Sequence, residues 1–522
     1  MPFSAMLLAL LLPGCTVGPD YSREPAPVPT TFKELKGWKL ANPNDAADRG
    51  NWWAPYRDSR LDTLLREVEI SNQTVAAAAA AYEQSRAIVR EAQAALFPTA
   101  TAGYSVTRTR TGALAGTTGG SAVGFGLGTR YTTQYSAPIN GGWDLDVWGK
   151  VRRTIEADAS LAQASAADLD NAKLSAQAQL ATAYFNLLAA DSLRDLLHRS
   201  AAQFRETYEI TLNKYKAGYG PSATTGTTSA DVALAQSQVL AIEAQELSVG
   251  VQRAQFEHAI AVLIGRPPAE LTIGPRLLGY KIPNIPVAVP SALLERRPDI
   301  AAAERTMQNN NALIGVAEAA YFPDVSLSAA VQFIGPIPLP FSAARSIQQI
   351  GASATQTLFD GGLIGAQVDA ARAAYWETVA NYRQTVLTAF QQVEDELAAI
   401  RIFTKQLAVE LQAVKNAREA VRVFTNQYRA GIVDLTTVVT AETNLLSQEE
   451  TALAVRQNLF LASVTLIEAL GGGWDTTLLP TQVQLMKGFS LLPKLESTPP
   501  ALEAAPADTT QRNPQSPPQV TQ

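Results

Sequence analysis

The chain is written twice. Asn72–Thr99 (NQTVAAAAAAYEQSRAIVREAQAALFPT) aligns without a gap on Arg297–Asp324 (RPDIAAAERTMQNNNALIGVAEAAYFPD). Later landmarks recur in the same order. Trp143-Asp144 matches Phe359-Asp360, Tyr215-Lys-Ala-Gly218 matches Tyr428-Arg-Ala-Gly431, and Leu263-Ile-Gly265 matches Ala469-Leu-Gly471. A period this long is a duplicated structural unit, not a short solenoid motif. Whatever one copy folds into must also suit the other.

Each copy opens with a predicted helix of about 30 residues that stops at Phe-Pro, because proline disfavours helix in the residue before it. Two short strands follow, near 99–110 and 130–140 in the first copy and near 324–334 and 348–358 in the second. Val325, Leu327, Ala329, Val331 and Phe333 alternate with Ser326, Ser328, Ala330 and Gln332; Ile350, Ala352 and Ala354 alternate with Gly351, Ser353 and Thr355. Tyr131, Thr133, Tyr135 and Ala137 alternate with more polar neighbours. This is period two with one moderately apolar face. Each strand has about the 9–11 residues that cross a bilayer. The hairpin loops, near 109–129 and 334–347, are rich in Gly or Pro, as exposed tips are.

A very long helix comes next, near 150–216 and 364–430. At ~1.5 Å per residue, ~65 residues span about 100 Å, more than any globular domain needs. Val379, Val386, Val393, Ile400, Leu407, Val414, Val421 and Tyr428 recur every seven residues, which fits a coiled-coil seam. Phe390, Leu397, Phe403, Leu411 and Phe424 make a looser second seam. The first copy keeps Leu180, Leu187, Tyr208 and Tyr215 but breaks the register at Lys173 and Arg194. After Tyr-x-Ala-Gly a shorter helix returns and ends at Gly265 or Gly471, where a left-handed residue closes a helix.

The 522 residues carry a net charge of −6, one cysteine and two histidines. The acidic balance argues against a nucleic-acid protein, and no intrachain disulfide is possible. His198 and His258 have no second ligand near them in sequence. The longest wholly apolar run, Ala5–Pro13, is far below the ~20 residues of a membrane helix. A membrane is therefore met by strands or by an anchor. Four strands cannot close a barrel, and an open edge in lipid leaves backbone groups unpaired. Three chains supply twelve strands, so a trimer follows if the strands lie in a membrane.

Met6–Leu12 reads as the apolar core of a secretory signal. Gly14-Cys15 then resembles a lipobox, which implies cleavage before Cys15 and its acylation. Pro25-Ala-Pro-Val-Pro29 suits an extended tether. The chain as a whole resembles an outer-membrane factor of the TolC/OprM/NodT family, in the lipoprotein branch serving resistance-nodulation-division (RND) efflux pumps. The resemblance runs from Cys15 to about Asp475. It rests on Cys15-Thr-Val-Gly-Pro-Asp-Tyr21, Trp52-Trp53, Leu96-Phe-Pro98, Trp143-Asp-Leu-Asp-Val-Trp-Gly149, Arg296-Arg-Pro-Asp-Ile300, Tyr321-Phe-Pro323, Leu358-Phe-Asp-Gly-Gly362 and Tyr428-Arg-Ala-Gly431. It implies an α+β membrane fold: a duplicated unit giving four transmembrane β-strands per chain, a twelve-stranded barrel as a homotrimer, continued by a long periplasmic α-helical barrel. The implied order is a signal peptide (1–14), a lipid-anchored extended segment (15–60), two repeats (61–274 and 275–474) and a C-terminal segment (475–522), largely disordered. Implied partners are a periplasmic membrane-fusion adaptor, an inner-membrane RND transporter and outer-membrane lipid. No cofactor is expected beyond the covalent lipid on Cys15.

The periplasmic tip is the expected gate. In the family, acidic residues of the second hairpin form a ring that opens when the pump engages. Here Thr437 and Thr440 stand where aspartate is common in the family, so Asp434 replaces the ring, or threonine hydroxyls and Tyr428 close the pore. Asp434 is equally readable as a helix N-cap. Asp231, in the first hairpin, is a further gate candidate. Gly218, Tyr219 and Gly220 begin a first tip longer than the second, which turns at Gly431; the resemblance makes these an adaptor-docking surface. Trp143, Asp144, Trp148, Phe359 and Asp360 are expected at the membrane-interface junction, with Asp144 and Asp146 as caps and not as a catalytic pair. Gly124-Phe-Gly-Leu-Gly128 lacks the helix that a phosphate loop needs. An enzyme is not expected. The function implied is a passive exit channel for drugs or other small molecules. Two alternatives remain: a type I secretion channel for polypeptides, or a pore-less periplasmic coiled-coil scaffold without membrane strands.

Overall fold

A computed structural model gives the fold of residues 16–34, 51–111, 130–218, 227–279, 295–338 and 346–487, the described residues throughout. Cys15, Tyr219, Gly220, the loop holding Gly124–Gly128 and the tail beyond 487 lie outside them. The helices are α1 (Ser59–Ser71), α2 (Gln73–Ala94), α3 (Lys150–Lys216), α4 (Ser229–Leu263), α5 (Pro298–Ala319), α6 (Leu363–Arg429), α7 (Leu435–Ala469) and the short α8 (Gln482–Leu485). The strands are β1 (Thr99–Ala102), β2 (Ser105–Thr111), β3 (Arg130–Leu145), β4 (Asp324–Gly335) and β5 (Ser346–Thr355).

The opening helices are shorter than expected, 22 residues each in α2 and α5. Asn72 starts α2 sharply, its side chain accepting from the Thr74 and Val75 amides at 2.9 and 3.0 Å. Both helices then tighten before Phe-Pro into three successive bonds to the third residue back, from Ala95, Leu96 and Phe97 in one copy and Ala320, Tyr321 and Phe322 in the other. The long helices match expectation at 67 residues each, about 100 Å. Gly149 and Gly362 precede them with φ of 79° and 92°. Asp146 accepts from the Val151 and Arg152 amides, and Asp360 from those of Gly362 and Ile364. The cap in the first copy is therefore Asp146 and not Asp144, which sits inside β3 opposite Ser326.

Seven of the eight heptad positions of α6 are buried, and Leu407 packs on the same core. The second seam fails at Leu411, 48% exposed, because it lies over an open cleft against α3. The register breaks at Lys173 and Arg194 have a different cause. α3 is no two-sided coil; it packs against α2, α4, α5 and α7, and its many alanines are buried all round, which lets neighbours approach closely. α4 packs on α3, α3 on α7 and α7 on α6, so α4 and α6 form the two edges of the helical layer. Among the described helices only α7 is long and apolar enough to cross a membrane, and that window is 61% buried within the chain.

All strand pairs are antiparallel, in the order β1/β2–β3–β4–β5. The first expected strand is interrupted at Gly103-Tyr104, yet both pieces keep one register on β3. Gly103 N–H bonds the Pro138 carbonyl at 2.9 Å, but Pro138 has no N–H to return, so the ladder loses a rung. β3 runs on to Leu145, past its expected end near 140, held by the pairs Trp143–Leu327 and Leu145–Val325. β5 stops at Thr355, short of 358, where its partner β4 begins at Asp324. Paired residues share a face, so one face carries Ala137, Ile139, Trp143, Val325, Leu327, Val331, Phe333 and Ile350. The other carries Gln134, Ser136, Asn140, Ser326, Ser328, Gln332 and Ser353; Pro138, Ala330, Ile334 and Ile347 are apolar residues on this side, and Ser346 and Gln348 are polar residues on the first.

The duplication survives in three dimensions. Gly265 and Gly471, with φ of 71° and 89°, close α4 and α7 against the Ser71 and Arg296 carbonyls. Asn72 Nδ2 donates to the Leu263 carbonyl at 2.7 Å, and Arg297 Nη1 to that of Ala469 at 3.0 Å.

Candidate functional site

The two hairpin ends bring the expected gate residues together in two groups. In the first, Tyr428 is buried at the end of α6, and its hydroxyl lies 2.9 Å from Thr211 Oγ1 on α3. Burial pushes this phenol above its ordinary range. Lys214 Nζ sits 3.9 Å from the Tyr428 ring centroid and donates to the Tyr428 carbonyl; burial lowers this ammonium. Arg429 pairs with Glu206 across the same two helices. Asp231 lies near this group, but its carboxylate accepts from the Thr228 amide and hydroxyl at 2.7 and 2.8 Å, closing a capping box on α4. Three contacts thus tie α6 to α3 just before the tip.

The second group faces elsewhere. Asp434, Thr437 and Thr440 line an exposed hollow with Ala420, Phe424 and Asn444. Asp434 is the N-cap of α7: its Oδ1 accepts from the Thr437 hydroxyl at 2.6 Å and amide at 2.9 Å. These bonds hold its carboxyl below the usual range, so it is charged at neutral pH. Asp434 stays exposed while it caps, so its charge lies at the surface. Gly218 and Gly431 turn the tips with φ of 65° and 75° and open space around them.

The sequence reading passed over Glu442. It is 2% exposed, its Oε1 accepts from Thr207 Oγ1 at 2.7 Å, and its Oε2 has no partner. It closes the floor of a cleft of about 930 Å³ lined by Glu206 and Thr207 of α3 and by Lys415, Arg418 and Arg429 of α6. Burial, offset by Thr207 and reinforced by Glu206, raises its pKa from 4.5 to about 7. A signal existed: 442 continues the buried stripe Leu435, Val438, Val439, Leu445, Leu446, where a carboxylate is out of place. Between pH 4.5 and about 7 the folded chain keeps a proton that the unfolded chain has lost. Stability therefore falls as pH rises through that window and levels above it, by at most about 3 kcal/mol. Glu442→Gln is expected to flatten this dependence, equalling wild type near pH 5 and exceeding it by about 1–3 kcal/mol at pH 8; urea midpoints at the two pH values check it.

At the other end of the long helices, both junction tryptophans are pinned to Phe-Pro turns. Trp143 Nε1 donates to the Leu96 carbonyl at 3.0 Å and Trp148 Nε1 to that of Pro323 at 2.8 Å. Trp148 also stacks on Phe322, with centroids 4.7 Å apart. Phe359 is fully exposed beside the cap Asp360. The N-terminal segment starts at this junction: Val17 N–H bonds the Trp148 carbonyl at 3.0 Å, and Thr16 sits against Gly149. Gly18, at φ 95°, passes so close to Gly315 that a Cβ would lie 2.3 Å from its Cα. The segment then runs down the helices, with Arg153 on Asp20, Tyr21 on Glu304 and Phe32 edge-on to Phe390.

A small sheet with one apolar and one polar face, mounted on helical hairpins of about 100 Å, defines an outer-membrane channel with a helical conduit. The pattern of the family described as outer membrane efflux protein matches residues 64–266 and 289–472. The chain belongs to that family. It is 29% identical over 476 residues to the toluene efflux pump outer membrane protein TtgC of Pseudomonas putida, covering 90% of this chain and 95% of that one. It is 26% identical to the cation efflux system protein CusC of Escherichia coli, covering 90% and 98%. The solved outer-membrane channel OprN superposes with a TM-score of 0.77 at 27% identity, covering 88% of this chain and all of that one. The protein is thus an outer-membrane exit channel of an efflux pump in a Gram-negative bacterium, its long helices reaching into the periplasm.

Proposed function

We propose that the chain works as a homotrimer, acylated at Cys15, forming the passive exit duct of an RND-type tripartite pump. The observation that carries the trimer is the open edge on both layers. β1/β2 and β5 each present an unpaired edge, which lipid does not tolerate. Below them, edge helix α4 exposes Leu240, Leu247, Val251 and Val262, and edge helix α6 exposes Trp376, Leu387, Ile402 and Val409. At 100° per residue the α4 set falls within a sector of about 60°. Three copies closing edge to edge pair every strand and cover both seams. The native mass of detergent-extracted protein tests this; a monomer that persists on adding adaptor would sink it.

Acylation is supported by position. Thr16 is held at the foot of the sheet, so a lipid on the preceding residue enters the inner leaflet beside the barrel. Cys15→Ser is expected to lose the lipid mass from the mature protein.

At the tip, Tyr428, Thr211, Lys214 and Glu206–Arg429 hold the second hairpin against α3, and three Asp434 carboxylates ring the opening. Tyr428→Phe with Arg429→Ala is expected to raise single-channel conductance several-fold in planar bilayers, and Asp434→Asn to weaken cation preference. Unchanged conductance and selectivity would place the gate elsewhere. The tips turning at Gly218 and Gly431 offer the adaptor its surface. Relatives named for toluene and for cations resemble this chain to similar degrees, which supports cargo selection by the pump and not by the duct.

A further inference from the structure

The apolar face of the sheet carries two arginines. Arg108 and Arg110 lie two apart on β2, opposite Thr133 and Tyr131 of β3. Both guanidinium groups gather over the Tyr131 ring, 4.9 and 6.0 Å from its centroid. By the pairing register, this is the face of Ile139, Trp143, Leu327, Val331 and Phe333. In a closed barrel the apolar face meets lipid and the polar face lines the pore. These two charges therefore point at the membrane and not into the channel.

Their depth is set by the strand. Thr133, opposite Arg108, lies ten residues before Trp143. At ~3.3 Å per residue and a tilt of ~40°, that is about 25 Å, the height of the apolar band of an outer-membrane barrel. With Trp143 at the periplasmic rim, Tyr131 and Tyr135 fall at the outer rim, where aromatic girdles lie. Arg108 and Arg110 accordingly sit at the headgroups of the outer leaflet, where a lipid-facing arginine is tolerated.

No acid offsets them. From 99 to 143 the charged residues are Arg108, Arg110 and Arg130, and from 325 to 359 only Arg345; neither stretch contains Asp, Glu or Lys. Among the described residues the nearest acids of the sheet, Asp144 and Asp324, are at its opposite end. Two guanidinium groups braced on one ring, free of carboxylates and at headgroup height, match a phosphate, whose oxygens take their fork of donors.

We infer that Arg108, Arg110 and Tyr131 form a lipid-facing site for the phosphate headgroup of an outer-leaflet glycolipid, repeated on each protomer of the barrel. The inference rests on the closed barrel proposed above. The test uses the full-length, detergent-solubilised protein, with native mass spectrometry and titration by bis-phosphorylated lipid A, by its dephosphorylated form and by inorganic phosphate. Wild type is expected to prefer the phosphorylated lipid by about tenfold or more, two charge-assisted contacts being lost in its absence. R108Q/R110Q is expected to bind both lipids alike, and the single variants R108Q and R110Q to fall between. If the double variant does not assemble, the single variants decide. Equal binding of the two lipids by wild type, or an undiminished preference in the variants, overturns the site. Displacement by millimolar inorganic phosphate would make it a free-anion site and overturn the lipid assignment. A chain that stays monomeric fails by mass before any lipid is added, which separates failure of the barrel from failure of the site.

Discussion

Gly471→Ala is expected to cost about 3 kcal/mol or more, and Gly265→Ala nearly as much. Each of these glycines ends a return helix with positive φ, 89° and 71°, and a left-handed L-residue costs about 1–2 kcal/mol. The larger part is steric. A Cβ at 471 would lie 1.9 Å from the Arg296 carbonyl oxygen, and one at 265 would lie 2.1 Å from that of Ser71. Neither oxygen can step aside, because each belongs to the backbone entering the next helix of its own copy. Gly431 supplies the contrast: its φ is 75°, but nothing stands within 4 Å. Gly431→Ala should cost only the conformational part, about 1 kcal/mol. Urea midpoints of the three variants test the ordering. Equal losses at 431 and 471 would mean that φ alone matters and that the helix–backbone contact does not.

These contacts also show what the sequence could and could not disclose. The duplication was legible because both copies must make the same approach of a glycine to a carbonyl, and Leu-Ile-Gly265 and Ala-Leu-Gly471 retain it. The α6 seam was legible because only one side of this edge helix is covered, by α5 and α7 and at the tip by α3, so burial keeps a seven-residue period from Val379 to Tyr428. α3 hid its packing for the converse reason. Helices α1, α2, α4, α5, α7 and α8 all pack on it, and a helix buried on most sides has no period to read. Strand ends were hidden where pairing depends on a distant partner: β3 reaches Leu145 because Val325 of β4 stands opposite it, and the break at Gly103 follows from Pro138 on another strand. At the tip, Tyr428 and Asp434 were identifiable, but their separation into two groups was not, since it depends on which side of α6 meets α3. Glu442 is visible as a carboxylate inside an apolar stripe, but its burial depends on Thr207 of α3, which the sequence does not place beside it.

Leu247→Glu combined with Val251→Glu is expected to abolish trimer formation while leaving the protomer folded. In the single chain these side chains are 78% and 60% exposed, so replacing them removes little from its own core. In the trimer they would be covered by α6 of the neighbour. Losing that burial costs about 1.5–3 kcal/mol for each side chain, and burying a carboxylate against an apolar seam costs several more unless it is protonated. Rotational symmetry repeats the penalty at every interface, so even the lower figures displace the association equilibrium by many orders of magnitude. Leu247→Met with Val251→Ile keeps the seam apolar and should assemble as wild type does. Analytical ultracentrifugation in detergent reads the mass, and circular dichroism reads the helix content that distinguishes dissociation from unfolding. A trimer that survives both glutamates would mean that α4 does not face a neighbour. The four strands above it would then have no route to closure through this edge, and the duct would have to be built from a different pairing of the same helices.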